Sequence, residues 1–239
     1  MKEGVPAGNG FVYSGTDNLE AMIEARNYNA YLVGTLARHL RGRQNVLDFG
    51  AGIGHFAAQM RDRGFSIACV ERDAAHLDLL EGRGFECAAS LAEVSRDRFD
   101  GAYALNVLEH IEDDDAVLRE LYRVLAPGGM LVVYVPAFQV LFSAMDRKVG
   151  HFRRYRAAPL RRKLQRQGFR IRHWAYADVL GFLATLLYRL AGNRRGDLNM
   201  RGLRAFDRFA FPVSCLLDRL TSAFAGKNLI VVAEKPSAG

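Results

Sequence analysis

Short apolar runs alternate with amphipathic stretches along most of this chain. The segments "NVLDF" (45–49), "SIACVE" (66–71), "FECAAS" (85–90), "FDGAYALNV" (99–107) and "MLVVYVPA" (130–137) read as strands, the first and the last of them buried. Between them, "HFAAQMRDRG" and "AAHLDLLEGRG" read as helices that end at glycine. In "DDDAVLRELYRVLAPGG", Leu118, Leu121, Tyr122 and Leu125 share one helical face. Asp113, Asp114 and Asp115 suit the positive N-terminal end of that helix, and Pro127, Gly128 and Gly129 stop it. Ahead of the first strand, residues 17–40 space Leu19, Met22, Ile23, Leu32, Leu36 and Leu40 for one or two helices. Strands joined by helices return to one sheet by right-handed crossovers and lie parallel, with helices on both faces. The predicted fold class is therefore α/β, doubly wound, with the ligand outside the carboxyl ends of the strands.

Composition adds a boundary rather than a function. At 239 residues, half hydrophobic and a quarter charged, the chain suits one globular domain. The expected layout is an N-terminal helical cap (1–44), a core (45–177 and 228–235) and an apolar helical insertion (178–227). Three scattered cysteines, Cys69, Cys87 and Cys215, suit buried thiols. The N-terminal "MKEGVPAGNGFVYSG" has no apolar run of the secretory kind, which implies a cytoplasmic protein. The formal charge of +7 is local: residues 147–172 hold 11 Lys or Arg and no acid, so the rest of the chain is net acidic.

The chemistry begins at "VLDFGAGIGHF" (46–56). Gly50, Gly52 and Gly54 lead from the first strand into a helix, where missing Cβ atoms let a ligand touch the main chain. Glu71 ends the second strand, where a carboxylate accepts hydrogen bonds from a ribose diol. Together they suggest an adenosine-containing ligand. Three residues after Gly52 stands His55, not the glycine of a G-x-G-x-x-G fingerprint, which argues against a nicotinamide or flavin dinucleotide.

"DFGAGIG", Glu71, "NVLEHI" (106–111) and "LAPGGMLVVYVP" (125–136) resemble a class I, Rossmann-like S-adenosylmethionine-dependent methyltransferase, of the group that includes quinone-biosynthesis and other small-molecule enzymes. The resemblance is strong over about residues 45–136. It implies a seven-stranded, mostly parallel sheet with an antiparallel last strand, "FRIRHWAYA" and "NLIVVAEK" being strands six and seven. It implies S-adenosylmethionine as cofactor, with S-adenosylhomocysteine as product. Carried over, the loop of Gly50, Ala51, Gly52 and Gly54 passes under the methionine and ribose. Asp48 holds the amino end or serves only as a structural acceptor. Glu71 and the adjoining Arg72 lie at the ribose, Ser90 and Leu91 near the adenine, and Asn106 and Val107 beside the methionine.

Methyl transfer to a hydroxyl or phenol needs a base, for which His110 and His151 are candidates alongside purely structural roles. Some quinone O-methyltransferases that this stretch resembles bind a cation through E-x-x-E-H. Here Asn106 stands at the first carboxylate, so no metal is expected. The cationic "DRKVGHFRRYR" (146–156) is either a solvated face or a site where Arg153, Arg154 and Tyr155 hold an anionic acceptor. Nucleic acid is not expected, since N-P-P-[YF] is absent after strand four. The insertion sets Phe206, Phe209, Val213, Leu216, Leu217, Leu220 and Phe224 at helical spacing, with Pro212 bending the run and Arg194 and Arg195 nearby. A lid or dimer surface competes there with peripheral membrane contact. The favoured function is methyl transfer to a small or lipid-linked acceptor at oxygen. The alternatives are an RNA or protein methyltransferase using the basic segment, or a catalytically silent cofactor-binding protein.

Overall fold

The computed structural model describes residues 23–190 and 200–237. Leu19, Met22, Arg194 and Arg195 lie outside them. Helix α1 (Arg26–His39) precedes β1 (Asn45–Phe49), α2 (His55–Arg61), β2 (Ser66–Val70), α3 (Ala74–Gly82), β3 (Glu86–Ala88) and β4 (Phe99–Leu105). Then follow α4 (Asp114–Val124), β5 (Leu125–Pro136), a short α5 (Ala144–Lys148), α6 (Ala157–Arg166) and β6 (Arg170–Ala177). The insertion holds α7 (Val179–Leu190), α8 (Met200–Ala205), a π-helical turn over Phe206–Ala210 and α9 (Phe211–Thr221), before β7 (Asn228–Glu234).

These strands form one sheet of order β3-β2-β1-β4-β5-β7-β6. Strands β1 to β5 pair in parallel, and β7 runs antiparallel between β5 and β6. This is the predicted doubly wound α/β fold. Chain order reverses between β1 and β4, so the loops after those two strands open onto one crevice. Apolar side chains alternate onto two cores. Leu47, Leu131, Val133 and Val231 face α4 and α6, while Val46, Tyr103, Val132 and Ile230 face α1 and α2.

One boundary differs from the sequence pattern. Leu125 is the first residue of β5, paired with Phe99, and α4 stops at Val124 before Pro127 is reached. The residue before a proline is driven toward extended backbone, and Leu125, just ahead of it, pairs with Phe99 of the interior strand β4. Pro212 sits in the first turn of α9, directly after the π-helical turn, where its missing N–H leaves no helical hydrogen bond unmade.

The three aspartates of α4 divide their work. Asp113 caps the helix by accepting from the Ala116 N–H at 2.9 Å, as its place predicts. Asp114 is buried and accepts from Tyr155 Oη (2.9 Å) and Lys163 Nζ (2.6 Å), tying α4 to α6. Asp114→Ala removes the acceptor these donors share, leaving the Leu108 carbonyl to Tyr155 and Asp115 to Lys163, and is expected to cost about 2–3 kcal/mol, measured as a lower urea midpoint at unchanged m-value.

Candidate active site

A cavity of about 770 Å³ opens at the carboxyl ends of β1, β2 and β4, a size that suits a small-molecule ligand. Its floor is the loop after β1. Gly50, Gly52 and Gly54 all have positive φ, +77°, +53° and +76°. Gly50 and Ala51 donate to the Val70 carbonyl, which ties the loop to the end of β2. An added Cβ on Gly50 would stand 2.5 Å from Val107 Cγ2, so the loops after β1 and β4 touch with no room for a side chain. Gly54 serves another purpose. It does not line the cavity; it caps α2 in a left-handed conformation, where a Cβ would meet Leu80 at 2.6 Å.

Glu71 is held by main chain. Its Oε2 accepts from the Gly52 N–H at 2.7 Å, and its Oε1 accepts from Arg72 and Asp73 at 2.8 and 2.9 Å. Lone pairs remain on both oxygens for further donors. Asp48 accepts from Tyr103 Oη at 2.8 Å and also lines the cavity. Burial, opposed by the tyrosine hydrogen bond and aided by the nearby Glu71, raises its pKa to about 7. Ser90 and Leu91 after β3, Arg72 after β2, and Asn106 and Val107 after β4 complete this half of the lining. Asn106 takes φ = +54°, which asparagine tolerates better than most residues. A bare peptide floor, an acceptor fixed at the end of β2, a buried acid and apolar walls fit the ribose, ammonium and adenine of S-adenosylmethionine.

The other half gathers titratable groups. Asp146 accepts from His151 Nδ1 at 2.8 Å and from Arg154 Nε and Nη2 at 2.8 and 2.9 Å. Burial alone would raise the Asp146 carboxyl, but hydrogen bonds from His151 and Arg154 and the arginine charge hold it well below the usual carboxylate range. With Nδ1 donating to a carboxylate, His151 carries its lone pair on Nε2, 4.0 Å from Glu109 Oε1. The His110 ring meets that of His151 edge to face at 4.5 Å. Burial, then the proximity of His151, lowers the His110 pKa to about 4.

Glu109 was missed as a site residue, although "NVLEHI" displays it. It is fully buried, both carboxyl oxygens lack a hydrogen-bond partner, and burial raises its pKa to about 8. One donor atom each from Glu109, His110 and His151 lies within 4.8 Å of the others. A carboxylate with two imidazoles is a donor set for a divalent transition metal, and Asp146 behind His151 is the supporting partner such a ligand requires. The folded protein binds the Glu109 proton more tightly than the unfolded chain does. Stability present below the unfolded value, near 4.5, is therefore lost as pH rises toward about 8. Glu109→Gln is expected to raise the melting temperature of the metal-free protein at pH 8.5 and to flatten its decline between pH 6 and 8.5, read by calorimetry.

Two residues of the expected acceptor site lie elsewhere. Tyr155 is buried in the core, donating to the Leu108 carbonyl (3.0 Å) and Asp114 (2.9 Å). Arg153 turns away from the cavity to the Glu112 carbonyl at 2.8 Å and Asp114 at 3.2 Å. Their basic segment is largely structural because Asp114 and Asp146, both buried, draw its cations inward. Arg154 does line the cavity, with its charge matched by Asp146. Lys227, from the end of the insertion, also reaches the wall, and burial lowers its pKa. Tyr28 and Asn29 of α1 line the cavity, and Tyr28 packs edge-on against Tyr134 and Phe211.

Comparison with known proteins agrees with this geometry. Residues 19–173 match the family model described as a methyltransferase domain. The ubiquinone biosynthesis O-methyltransferase of Pseudomonas entomophila (strain L48) is 31% identical over 114 residues, 44% of this chain and 45% of that protein. The chain thus matches less than half the length of that curated relative. Among solved structures, a SAM-dependent methyltransferase from Archaeoglobus fulgidus shares the fold at TM-score 0.57 and 17% identity, over 90% of this chain and 98% of that one. A cyclase shares it at TM-score 0.58 and 22% identity, over 87% of this chain and 82% of that one, so likeness of fold alone does not select a reaction. With the matched domain spanning well over half its length, the chain belongs to the S-adenosylmethionine-dependent methyltransferase family.

Proposed function

We propose that this protein moves the methyl group of S-adenosylmethionine to an oxygen atom of a small-molecule acceptor. The observation that carries the reading is His151. Its Nδ1 is fixed by Asp146, its ring lines the cavity, and its Nε2 lies 4.0 Å from Glu109 Oε1. The cofactor supplies an electrophilic methyl on a positively charged sulfur. Gly50, Gly52, Glu71 and Asp48 hold and orient it, with Arg72, Ser90, Leu91, Asn106 and Val107 around it. Held there, the cofactor would supply the methyl group to the acceptor oxygen with the electrons of its S–CH3 bond staying on sulfur, and His151 Nε2 would take the hydroxyl proton. The apolar walls exclude water from the transfer. His110, with its low pKa, is the weaker base and acts as a wall of the acceptor space. The curated relatives, named as O-methyltransferases of ubiquinone biosynthesis, support oxygen over nitrogen. Formation of S-adenosylhomocysteine with catechols and hydroquinones, against equal concentrations of amines, tests the reading. Turnover confined to amines overturns it.

A second reading rests on the buried, partnerless carboxylate of Glu109. With His110 and His151 it would hold a divalent cation that lowers the pKa of a bound phenol, in place of proton removal by free His151. Dialysis against EDTA separates the two. Activity lost and restored by Mn²⁺ or Zn²⁺ supports the cation, and undiminished activity supports the histidine acting alone.

A further inference from the structure

The helices of the insertion are turned inside out. In α9, Val213, Leu216, Leu217 and Leu220, followed by Phe224, recur on one face and are exposed, Leu220 and Phe224 by 80% and 78%. The inward side carries Ser214, fully buried, whose hydroxyl donates to Asp178 and accepts from the Leu180 N–H. In α7, Leu183, Leu187 and Leu190 face solvent while Gly181 is buried. Of the 14 large apolar residues exposed among the described residues, ten belong to the insertion, so the remainder of the surface is ordinary.

The exposed charges on the described residues of the insertion are of one sign, and of these Arg204 also pairs with Glu24, ahead of α1, at 3.0 Å. Arg189, Arg201, Arg204, Arg208 and Arg219 are exposed there. The acids turn inward: Asp207 accepts from the Asn27 and Tyr28 N–H groups, and Asp218 accepts from those of Asp178 and Val179 at the start of α7. Among the described residues of 179–227, no acidic side chain is exposed. A second copy seated on this face would bring arginines toward arginines with no exposed carboxylate from the described residues of the insertion to answer them. An apolar stripe whose own exposed charges, among the described residues, are all arginine is instead complementary to a lipid surface with anionic headgroups. No helix among the described residues is long and apolar enough to cross a membrane, so the geometry is that of a helix pair lying on the bilayer.

We propose that α7 and α9 form a docking surface by which the protein binds reversibly to anionic membranes. Leu203, Phe206 and Phe211 of the same insertion line the cavity, so the docked face and the cavity wall belong to one structural unit. The proposal stands whether the acceptor is methylated at oxygen or elsewhere.

Co-sedimentation of the full chain with phosphatidylcholine vesicles, with and without about 30% phosphatidylglycerol, tests it. The expected result is binding to the anionic vesicles that falls at least about tenfold between 50 mM and 500 mM salt, with little binding to neutral ones. Leu220→Ser with Phe224→Ser, and separately Arg208→Ser with Arg219→Ser, are each expected to weaken that binding about tenfold or more, while circular dichroism and S-adenosylmethionine affinity stay unchanged. Protein that remains in the supernatant with both vesicle types overturns the proposal. So does equal binding to neutral vesicles, or a dimer in sedimentation velocity that Leu220→Ser with Phe224→Ser dissolves, since the face would then belong to a second copy.

Discussion

Replacing Gly50 by alanine is expected to weaken S-adenosylmethionine binding by about 100-fold or more, with the sheet still folded. Two costs fall on one residue. The backbone sits at φ = +77°, where an L side chain is strained by about 1–2 kcal/mol. The new methyl group would also stand 2.5 Å from Val107 Cγ2. The loop after β1 must therefore pull away from the loop after β4, and these two loops are the floor and one wall of the cavity. Isothermal calorimetry reads the affinity, and circular dichroism confirms the fold. Gly34→Ala is the control. That glycine lies within α1 with nothing near its missing Cβ, so alanine there leaves affinity alone and adds about 0.5–1 kcal/mol of helix stability. Equal affinity in wild type and Gly50→Ala would remove the glycine loop from the binding site.

His151→Ala is expected to lower turnover about 10²- to 10⁴-fold while cofactor affinity changes less than about threefold. The loss concerns a proton acceptor or a cation ligand, and either sits across the cavity from Glu71. Asp146 acts through His151. Asp146→Asn keeps the shape but removes the carboxylate that fixes the imidazole tautomer, so kcat is expected to fall and its pH profile to move, with KM for the cofactor steady. His110→Ala is expected to be the milder change, because its low pKa leaves it a poor base at neutral pH. Turnover in His151→Ala within about twofold of wild type would show that the acceptor ionises without it.

How much of this was legible in the chain depends on the range of the interactions involved. Strands β1, β2, β4 and β5 could be read because their centres are buried on both faces, leaving apolar runs with little alternation, whereas β3, at the edge of the sheet, has no buried residue. The glycine loop and Glu71 were legible because the loop rests on backbone conformation and the carboxylate on its position at a strand end. Both are local properties. The part played by Gly54 in packing α2 against Leu80 was not, since the clash it avoids comes from a residue 26 positions away.

The basic segment is the instructive failure. Arg153, Arg154 and Tyr155 are adjacent in sequence and look like one binding motif. Folding sends Tyr155 into the core and Arg153 to α4, and leaves only Arg154 beside the cavity. What separates them is Asp114 and Asp146, whose burial makes a partner obligatory. Nothing in the local pattern shows which aspartates will be buried.

By itself, the sequence determined the α/β class, the place of the glycine loop after β1 and the family, since periodicity and backbone-demanding glycines are written within single elements. Only the tertiary structure decided which of the two cavity histidines has its Nδ1 fixed by a carboxylate, that Glu109 is buried without a hydrogen-bond partner, and that the insertion turns its leucines outward. Each of these depends on what a side chain meets across the fold, and burial there, rather than residue type, sets its charge and its chemistry.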